Sequence, residues 1–414
     1  MTGAAKQAAP GMSGDAREGL SGKTVLLGVT GSIAAYKIAG LASMLVKKGA
    51  RVHVLMTKNA TNFINPITFE SLTGNKCLVD TFDRNFEFQV EHVALAKQAD
   101  LALVAPASAN VIGKLAHGIA DDMLTTTLLA CKAPILVAPA MNTNMYDNPI
   151  VQDNLKTLRS YGMRVIDPAE GYLACGDTGA GKMPEPETLF AHIEAVLACE
   201  KDLEGKRLLV SAGATQEALD PVRYLTNHST GKMGYAIAKA AMLRGAQVTL
   251  VSGRTHLTPP LFAETVPVVS AQEMYEAIES RFADTDILIM AAAVADYRPK
   301  EYADHKLKKK EGAEHLSLAR TVDILGTLGP KKKPGQFVCG FSMETEQLIE
   351  HSSEKLKKKN LDLIVANNLR TAGAGFGTDT NVVTLIDAQG ACELPKLTKL
   401  AVAHRILDRI LRQG

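Results

Sequence analysis

Cys175 lies within GYLACGDTGAGKMPEPE, Gly171 to Glu187, where four glycines surround it. A stretch this flexible and polar does not bury a thiol, so it reads as a mobile flap that presents a reactive cysteine. Upstream, PAMNTNMYDNP, Pro139 to Pro149, ends an apolar run and projects Asn142 with two methionines. On spacing alone it reads as a turn whose methionines pack inward. GVTGSIAAYK, Gly28 to Lys37, sets glycines and Ser32 between an apolar run and a helical stretch. It is either a phosphate cradle at a helix N-terminus or a plain tight turn, and without a following Gly-Lys-Ser/Thr it is no Walker-type loop. PASANVIGKLAHGIADDMLTTT, from Pro106, adds Ser108 and Asn110 as polar groups for a second face of the same ligand. His92, in EHVALAKQAD, is equally a solvated helix residue.

A second group of candidates lies far downstream. SAGATQEALDPVRYLTNHSTGKMG, Ser211 to Gly234, carries Asp220, Arg223 and Asn227 ahead of Ser229, Thr230 and Gly231. Helix capping accounts for Ser229 and Thr230; it leaves Arg223 and Asn227 unexplained. AAAVADYRPKEYADHKLKKKEG, Ala291 to Gly312, puts Asp296 just past an apolar run and follows it with Lys306, Lys308, Lys309 and Lys310. A carboxylate for Mg2+ beside several ammonium groups is what a triphosphate requires, because metal and lysines share its charge. A lysine run is ordinarily a solvated face, yet two more follow, at Lys331 to Lys333 and in KLKKKN, Lys355 to Asn360. Those at 331–333 are expected to face solvent. Nucleic acid is the rival ligand, disfavoured by a net charge of +2, only 5% aromatic residues and no binding motif.

The elements that must hold these residues repeat. KTVLLGVTGSIAAYKIAGLASMLVKKGARVHVLMT, Lys23 to Thr57, reads as a βαβ unit, and Lys206 to Gly253 reads the same way. ADLALVAPASAN, from Ala99, parallels TDILIMAAAVAD, from Thr285, each a buried strand ending in small residues. Apolar strands alternating with helices imply parallel sheets covered on both faces, with ligands beyond their carboxyl ends. The expected class is therefore α/β, with two doubly wound Rossmann-like domains and mainly parallel sheets. A chain of 414 residues suits two domains. Residues 1–22 are expected as a loose tail, 23–200 as the first domain and 201–414 as the second, joined near CEKDLEGK. Six cysteines without paired spacing argue against disulfides and zinc and for a reducing cytoplasm. No apolar stretch is long enough to span a membrane.

GSIAAYK, EHVALAKQADLALVAPASANVIGKLAHGIADD, PAMNTNMYDNP and LACGDTGAGKMPE together resemble the homo-oligomeric flavin-containing cysteine decarboxylases, in particular phosphopantothenoylcysteine decarboxylase. The resemblance implies that His92 is the active-site histidine, that Asn142 grips the substrate carboxylate and that Cys175 is the proton donor. It implies FMN against Gly31, Ser32, Thr57, Ser108, Ala109 and Asn110. The carboxylate of an N-acylated cysteine has no electron sink. Oxidising the side chain to a thioaldehyde creates one, CO2 leaves to give an enethiol, and the electrons return as hydride while Cys175 supplies a proton. Tyr146 stands where many members carry Trp.

The second half, through SAGATQEALDPVRYLTNHSTGKMG, AAAVADYRPKEYADHKLKK, GFSMETE and KNLDLIVANN, is similar to phosphopantothenate–cysteine ligases. The fusion resembles bacterial bifunctional enzymes of coenzyme A biosynthesis, whose ligase uses CTP. The resemblance implies that Arg223 and Asn227 contact phosphopantothenate and its activated acyl-cytidylate. It implies that Asp296, Lys306, Val322, Asp323, Ile324, Leu325, Phe341, Lys355 and Lys359 line the CTP site, with Asp296 toward Mg2+ and Lys306 and Asn227 in catalysis. TVDI replaces the usual NPDI. Small-molecule substrates, namely 4'-phosphopantothenate, cysteine and CTP, are thus expected, with no nucleic acid and no membrane as partners. A large homo-oligomer is implied, trimeric through the first domain and dimeric through the second, up to a dodecamer. The rival readings are a chain with one degenerate half and a non-enzymatic flavin or nucleotide sensor; Cys175 counts against the sensor, since binding alone needs no proton donor.

Overall fold

The computed structural model describes residue 17 and residues 19–81, 91–172, 176–308, 315–344, 348–368 and 377–413. The chain divides into two compact units, Gly19–Cys199 and Glu200–Gly414, and Arg17 belongs to the second.

In the first unit the strands are β1 (Thr24–Val29), β2 (Arg51–Met56), β3 (Leu101–Ala107), β4 (Ile135–Pro139) and β5 (Arg164–Val165), with a separate hairpin of β6 (Ala169–Tyr172) and β7 (Thr178–Lys182). The sheet runs β2-β1-β3-β4-β5, parallel throughout. Every residue of β1 is buried, and its side chains alternate between two cores: Val25, Leu27 and Val29 join one cluster, Leu26 the other. The helices α1 (Ala35–Lys47), α2 (Pro66–Thr73), α3 (Glu91–Gln98), α4 (Ala109–His117), α5 (Met123–Ala130), α6 (Thr143–Tyr146), α7 (Pro149–Ser160) and α8 (Pro186–Leu197) fill the crossovers. In α1 the buried residues Ala35, Ile38, Leu41, Ala42 and Leu45 recur at helical spacing. The Asp122 side chain accepts from Thr125 N and starts α5 in a capping box.

The second unit follows the same rule. Its strands are β8 (Arg207–Ala212), β9 (Gln216–Ala218), β10 (Tyr224–Thr226), β11 (Gln247–Ser252), β12 (Glu264–Pro267), β13 (Ile287–Met290), β14 (Tyr297–Pro299), β15 (Leu318–Arg320), β16 (Phe337–Glu344), β17 (Leu363–Asn368), β18 (Thr380–Asn381), β19 (Val383–Asp387), β20 (Gly390–Glu393) and β21 (Leu397–Thr398). Its helices are α9 (Lys232–Leu243), α10 (Ala271–Phe282), α11 (Ile324–Leu328), α12 (Leu348–Lys358) and α13 (Lys399–Leu411). The main sheet runs β12-β11-β8-β13-β16-β17-β19-β20 and turns antiparallel only beyond β17. Here too β8 alternates, Leu208 and Val210 into one cluster and Leu209 into the other. The expectation of two doubly wound, mainly parallel sheets holds. Three short ladders, β9 with β10, β14 with β15 and β18 with β21, stand where the sequence reads as loop.

Parts of the N-terminal stretch expected as a loose tail are fixed. Leu20 is 2% exposed within the first core, and its N–H donates to Lys48 O at 2.7 Å. Arg17 forks onto Asp408 at 2.8 and 2.9 Å. Asp408 also accepts from Arg244, whose guanidinium is buried and donates to Asp202 at 2.8 and 2.6 Å and to His404 O at 3.2 Å. Burial pushes the Asp408 carboxyl up, but Arg17 and Arg244 outweigh it and hold it below the usual carboxylate range. A carboxyl lowered on folding stabilises above its unfolded pKa of about 4 and loses that contribution as the pH falls through the folded value. Arg244→Met is expected to cost the second unit about 2 kcal/mol, less than a fully buried pair because Asp202 is 41% exposed. Denaturant unfolding at neutral pH measures that cost, and the gap between variant and parent should shrink below pH 4.

Candidate active sites

In the first sheet the strand order reverses at β1, whose neighbours are β2 and β3. The chain leaves the carboxyl ends of these three strands through Gly31 and Ser32, through Thr57, and through Ser108, Ala109 and Asn110. All six residues expected at FMN therefore stand at one end of one sheet. Thr57 is buried and its Oγ1 accepts from Ala60 N at 3.3 Å. Ser108 Oγ accepts from Val111 N at 3.4 Å and caps α4. A Cβ on Gly31 would lie 2.8 Å from Asn59 Cβ, so the loop closes only over glycine. Thr30 was missed in the sequence: fully buried, it donates to Pro106 O at 2.6 Å and accepts from Ser108 N at 2.9 Å, tying the ends of β1 and β3 together. The N-cap of α1, Ala34, offers no capping side chain. Its first turn is suited to an anion.

Asn142 follows β4. Its Oδ1 accepts from Asn144 N at 2.9 Å as the cap of α6, and its Nδ2 donates to Asp177 Oδ2 at 2.6 Å. Asp177 stands on the flap between β6 and β7, and sequence spacing gave no sign of its meeting Asn142. The flap lies close: Met141 N donates to Gly181 O at 3.0 Å, and a Cβ on Gly181 would sit 2.4 Å from Met141 O. Thr143 Oγ1 is buried beside this contact with no hydrogen-bond partner. His92 is half-buried in the first turn of α3. Cys175 lies outside the described residues. Of the other thiols, Cys77 is pushed up to about 12 by burial and by Glu70, and burial likewise raises Cys339, so neither is a ready nucleophile.

The second unit holds a cavity of about 830 Å3 at the carboxyl ends of β13, β16 and β17. It gathers Asn227, Asp296, Phe341, Lys355 and Lys359. Val322, Asp323, Ile324 and Leu325 complete the wall expected for a nucleotide. Asn227 Nδ2 donates to Val294 O at 3.1 Å. Asp323 caps α11 through Gly326 N at 2.9 Å and pairs with Lys359 at 2.8 Å; burial raises its carboxyl, and these partners bring it below its ordinary value. Polar residues of the same wall that the sequence missed include Lys232, Asn367, Asn381 and Lys399. Lys399 is 7% exposed and donates to Thr378 O at 2.5 Å, while Lys232 donates to Asp379 at 2.7 Å. Burial, then the Lys232 charge, lowers the Lys399 ammonium. α9 begins at Gly231 without a capping side chain, as α1 begins at Ala34.

Arg223 and Lys306 do not line this cavity. Arg223 is spent on Asp220, whose side chain is fully buried and accepts from Arg223 Nε at 2.9 Å, from Val222 N and Arg223 N at 2.8 Å and from Leu307 N at 3.2 Å. Arg223 Nη2 returns a bond to Leu307 O at 2.9 Å. The pair thus anchors the exposed segment that carries Lys306, Lys309 and Lys310 being outside the described residues. The run at 331–333 is not merely solvent-facing: Lys331 pairs with Glu279, the 14%-exposed Lys332 with Asp362, and Lys333 donates to Ala283 O. Among the described residues no group of three or more His, Cys, Asp or Glu could hold a metal, and no helix is long and apolar enough to cross a membrane.

Residues 14–198 match the family described as Flavoprotein, and residues 203–413 match the DNA/pantothenate metabolism flavoprotein C-terminal domain. The "Coenzyme A biosynthesis bifunctional protein CoaBC" of Bacillus subtilis (strain 168) is 51% identical over 94% of this chain and 97% of its own. The protein of the same description from Vibrio vulnificus (strain YJ016) is 45% identical over 94% and 98%. A crystal structure of the C-terminal domain of such a protein is 50% identical, covering 51% of this chain and 98% of its own with a TM-score of 0.44.

The Arg223 guanidinium and three backbone N–H groups hold the Asp220 carboxyl well below the usual carboxylate range. Asp220→Asn is expected to loosen this charge-assisted network and to speed hydrogen exchange at the Leu307 amide. Since Asp220 is lowered on folding, the parent keeps this anchor at every pH above about 4; unchanged exchange at Leu307 at pH 7 would contradict the assignment.

Proposed function

From the premise that this chain belongs to the family of bifunctional coenzyme A biosynthesis proteins, enzymes with a flavoprotein decarboxylase half and a phosphopantothenate–cysteine ligase half, we propose which of its residues carry each reaction. The single observation that carries the proposal is the convergence of Asn227, Asp296, Lys355 and Lys359 on one cavity, in the half expected to bind the nucleotide.

In the first unit FMN fits what is present. The uncapped start of α1 suits its phosphate, and Thr57, Ser108 and Asn110 offer polar groups at the neighbouring strand ends. When bound, FMN supplies reversible two-electron oxidation of the cysteine side chain, which gives the departing carboxylate its electron sink. Asn142 donates to the substrate carboxylate, with its orientation set by the Asn144 N–H on its other end. His92 orients the cysteine portion, and Cys175 returns the proton that completes the thiol product.

In the second unit the carboxylate of 4'-phosphopantothenate is a poor electrophile and is first activated. It attacks the α-phosphate of CTP, releasing pyrophosphate and forming an acyl-cytidylate; the cysteine amine then displaces CMP. Phe341 with Val322 to Leu325 forms the less polar wall suited to the base. Lys232 and Lys399, beside the uncapped start of α9, place positive charge for the phosphates. Asp296 is one carboxylate, which suffices for an Mg2+ whose remaining ligands are phosphates and water. Asn227 holds the acyl-cytidylate. Arg223 orders the segment of Lys306, which stabilises the charge that develops on the phosphates.

The assembly is a cytoplasmic homo-oligomer, trimeric through the first unit and dimeric through the second. Ile33, Tyr36, Phe63 and Ile67 expose apolar surface in the first unit, and Val222, Tyr224, Tyr297 and Leu318 do so in the second; light scattering on the intact protein measures the copy number.

Cys175→Ser is expected to release CO2 from 4'-phosphopantothenoylcysteine yet accumulate the oxidised enethiol, and full turnover to the thiol would refute Cys175 as donor. Lys306→Gln should lower ligation at least about tenfold, read as CMP release, and wild-type rates would remove it from the reaction. Lys399→Met should raise the KM for CTP about tenfold, the worth of one partly buried charge contact, without touching decarboxylation.

A further inference from the structure

Two hydrogen bonds in series orient an amide at the end of β17. The Val382 N–H donates to Asn381 Oδ1 at 3.0 Å, and since a backbone N–H can only donate, it fixes which end of that side chain is the oxygen. Asn381 is 3% exposed, and its Nδ2 donates to Asn367 Oδ1 at 3.1 Å. Asn367 thus has its oxygen taken and its Nδ2 left to give, and both residues line the cavity of the second unit. Among the described residues no group accepts from that Nδ2. Asn367 also stands on a definite face of the sheet, because side chains two apart on a strand point the same way. Val365 belongs to the core built with α9 and α13, whereas Ile364 and Ala366 belong to the core that holds Ile324 and Leu325. Asn367 therefore leaves the sheet on the side where Lys232 and Lys399 begin those two helices, away from the wall suited to the base. β18, which carries Asn381, pairs with β21 immediately before Lys399.

We propose that Asn367 donates to the phosphates of the nucleotide that leave as pyrophosphate, with Asn381 as the positioning residue that keeps its amide the right way round; this rests on the reading that sets the phosphates beside Lys232 and Lys399. The α-phosphate has to lie within reach of the carboxylate that attacks it, at the end of β13, where Asn227 meets Val294 O and Asp296 follows. β17 is two strands away, about 10 Å at the usual strand spacing. A donor there meets the far end of the triphosphate. It adds direction to a place already rich in charge. An ammonium is a compact point charge on a flexible stem and attracts phosphate oxygens from any side. An amide whose plane is fixed admits one line of approach, so it holds the departing phosphates in line with the attack. The oxygens of a phosphate only accept and the Asn367 NH2 only donates, so the relay presents the one end of the amide that fits.

The test follows CMP release by the intact protein and measures the KM for CTP, the KM for 4'-phosphopantothenate and the inhibition constant of pyrophosphate. Asn367→Asp puts a carboxylate where the donor stood. It should raise the KM for CTP and the pyrophosphate constant at least about tenfold each, the scale of a hydrogen bond to a charged group, and leave the KM for 4'-phosphopantothenate as in the parent. Asn381→Asp keeps an acceptor for the Val382 N–H but offers Asn367 no donor, so the Asn367 amide turns round and the same two constants rise although Asn367 itself is intact. Melting temperature and the rate of decarboxylation check that each variant folds. If Asn367→Asp leaves the pyrophosphate constant unchanged, or raises the KM of both substrates alike as a merely structural residue would, the assignment is overturned. Parental constants in Asn381→Asp overturn the relay. Lys399→Met separates the proposal from the reading beneath it. An unchanged KM for CTP in that variant means that the phosphates lie elsewhere and both fall; a raised KM beside parental constants in Asn367→Asp removes Asn367 alone.

Discussion

Where parallel strands end, the last backbone groups lose their ladder partners, and in a sheet covered on both faces water cannot replace them. Both units meet this constraint with small buried hydroxyls. Thr30 stitches β1 to β3 through Pro106 O and Ser108 N. In the second unit Ser211 Oγ accepts from Ala292 N at 3.1 Å, Thr215 Oγ1 accepts from Ala295 N at 2.9 Å, and Thr321 Oγ1 donates to Ala295 O. These stitches let the chain leave the sheet without opening it. They also fix where the exit loops begin, and the exit loops carry the candidate chemistry. A short hydroxyl serves here because it bonds backbone while occupying almost no volume, which leaves the space beyond the strand ends to a ligand.

The sheets were legible in the sequence because burial on both faces writes itself as uninterrupted apolar runs, such as TVLLGV and ILIM, separated by helical periodicity. The loops were legible only in part. Asn227, Asp296 and the Val322 to Leu325 wall reach the cavity as the motifs that carry the resemblance implied, although the short strands β10, β14 and β15 beside them gave no sign in the sequence. Lys232 and Lys399 belong to the starts of two helices, α9 and α13, that pack against each other; no periodicity in either helix reports the other. The same holds for Asp177 and Asn142, which meet because a glycine-bearing hairpin folds back over a loop. The three ladders of two or three residues were hidden because so short a strand has no measurable alternation. The lysine runs looked alike as sequence, and the fold separates them: Lys355 and Lys359 face the cavity, whereas Lys331 and Lys332 are consumed by Glu279 and Asp362.

Several of the candidate side chains combine a structural task with a place at or beside the site. Asn142 caps α6 through Oδ1 and offers Nδ2. Asp323 caps α11 through Oδ1 and holds Lys359 at the cavity wall. Arg223 locks onto Asp220 and in the same fork carries Leu307 O, ordering the segment before it. A cap restricts a side chain to one rotamer because the backbone N–H it satisfies is immobile. Sites built this way need no further layer of side chains to aim them, since the helix start does the aiming. The arrangement also explains why the sequence reads ambiguously at these positions. A capping residue and a binding residue are drawn from the same short list of Asn, Asp, Ser and Thr, and here one residue fills both roles, so the two readings of Asn142, a turn former and a ligand group, describe the two ends of a single amide.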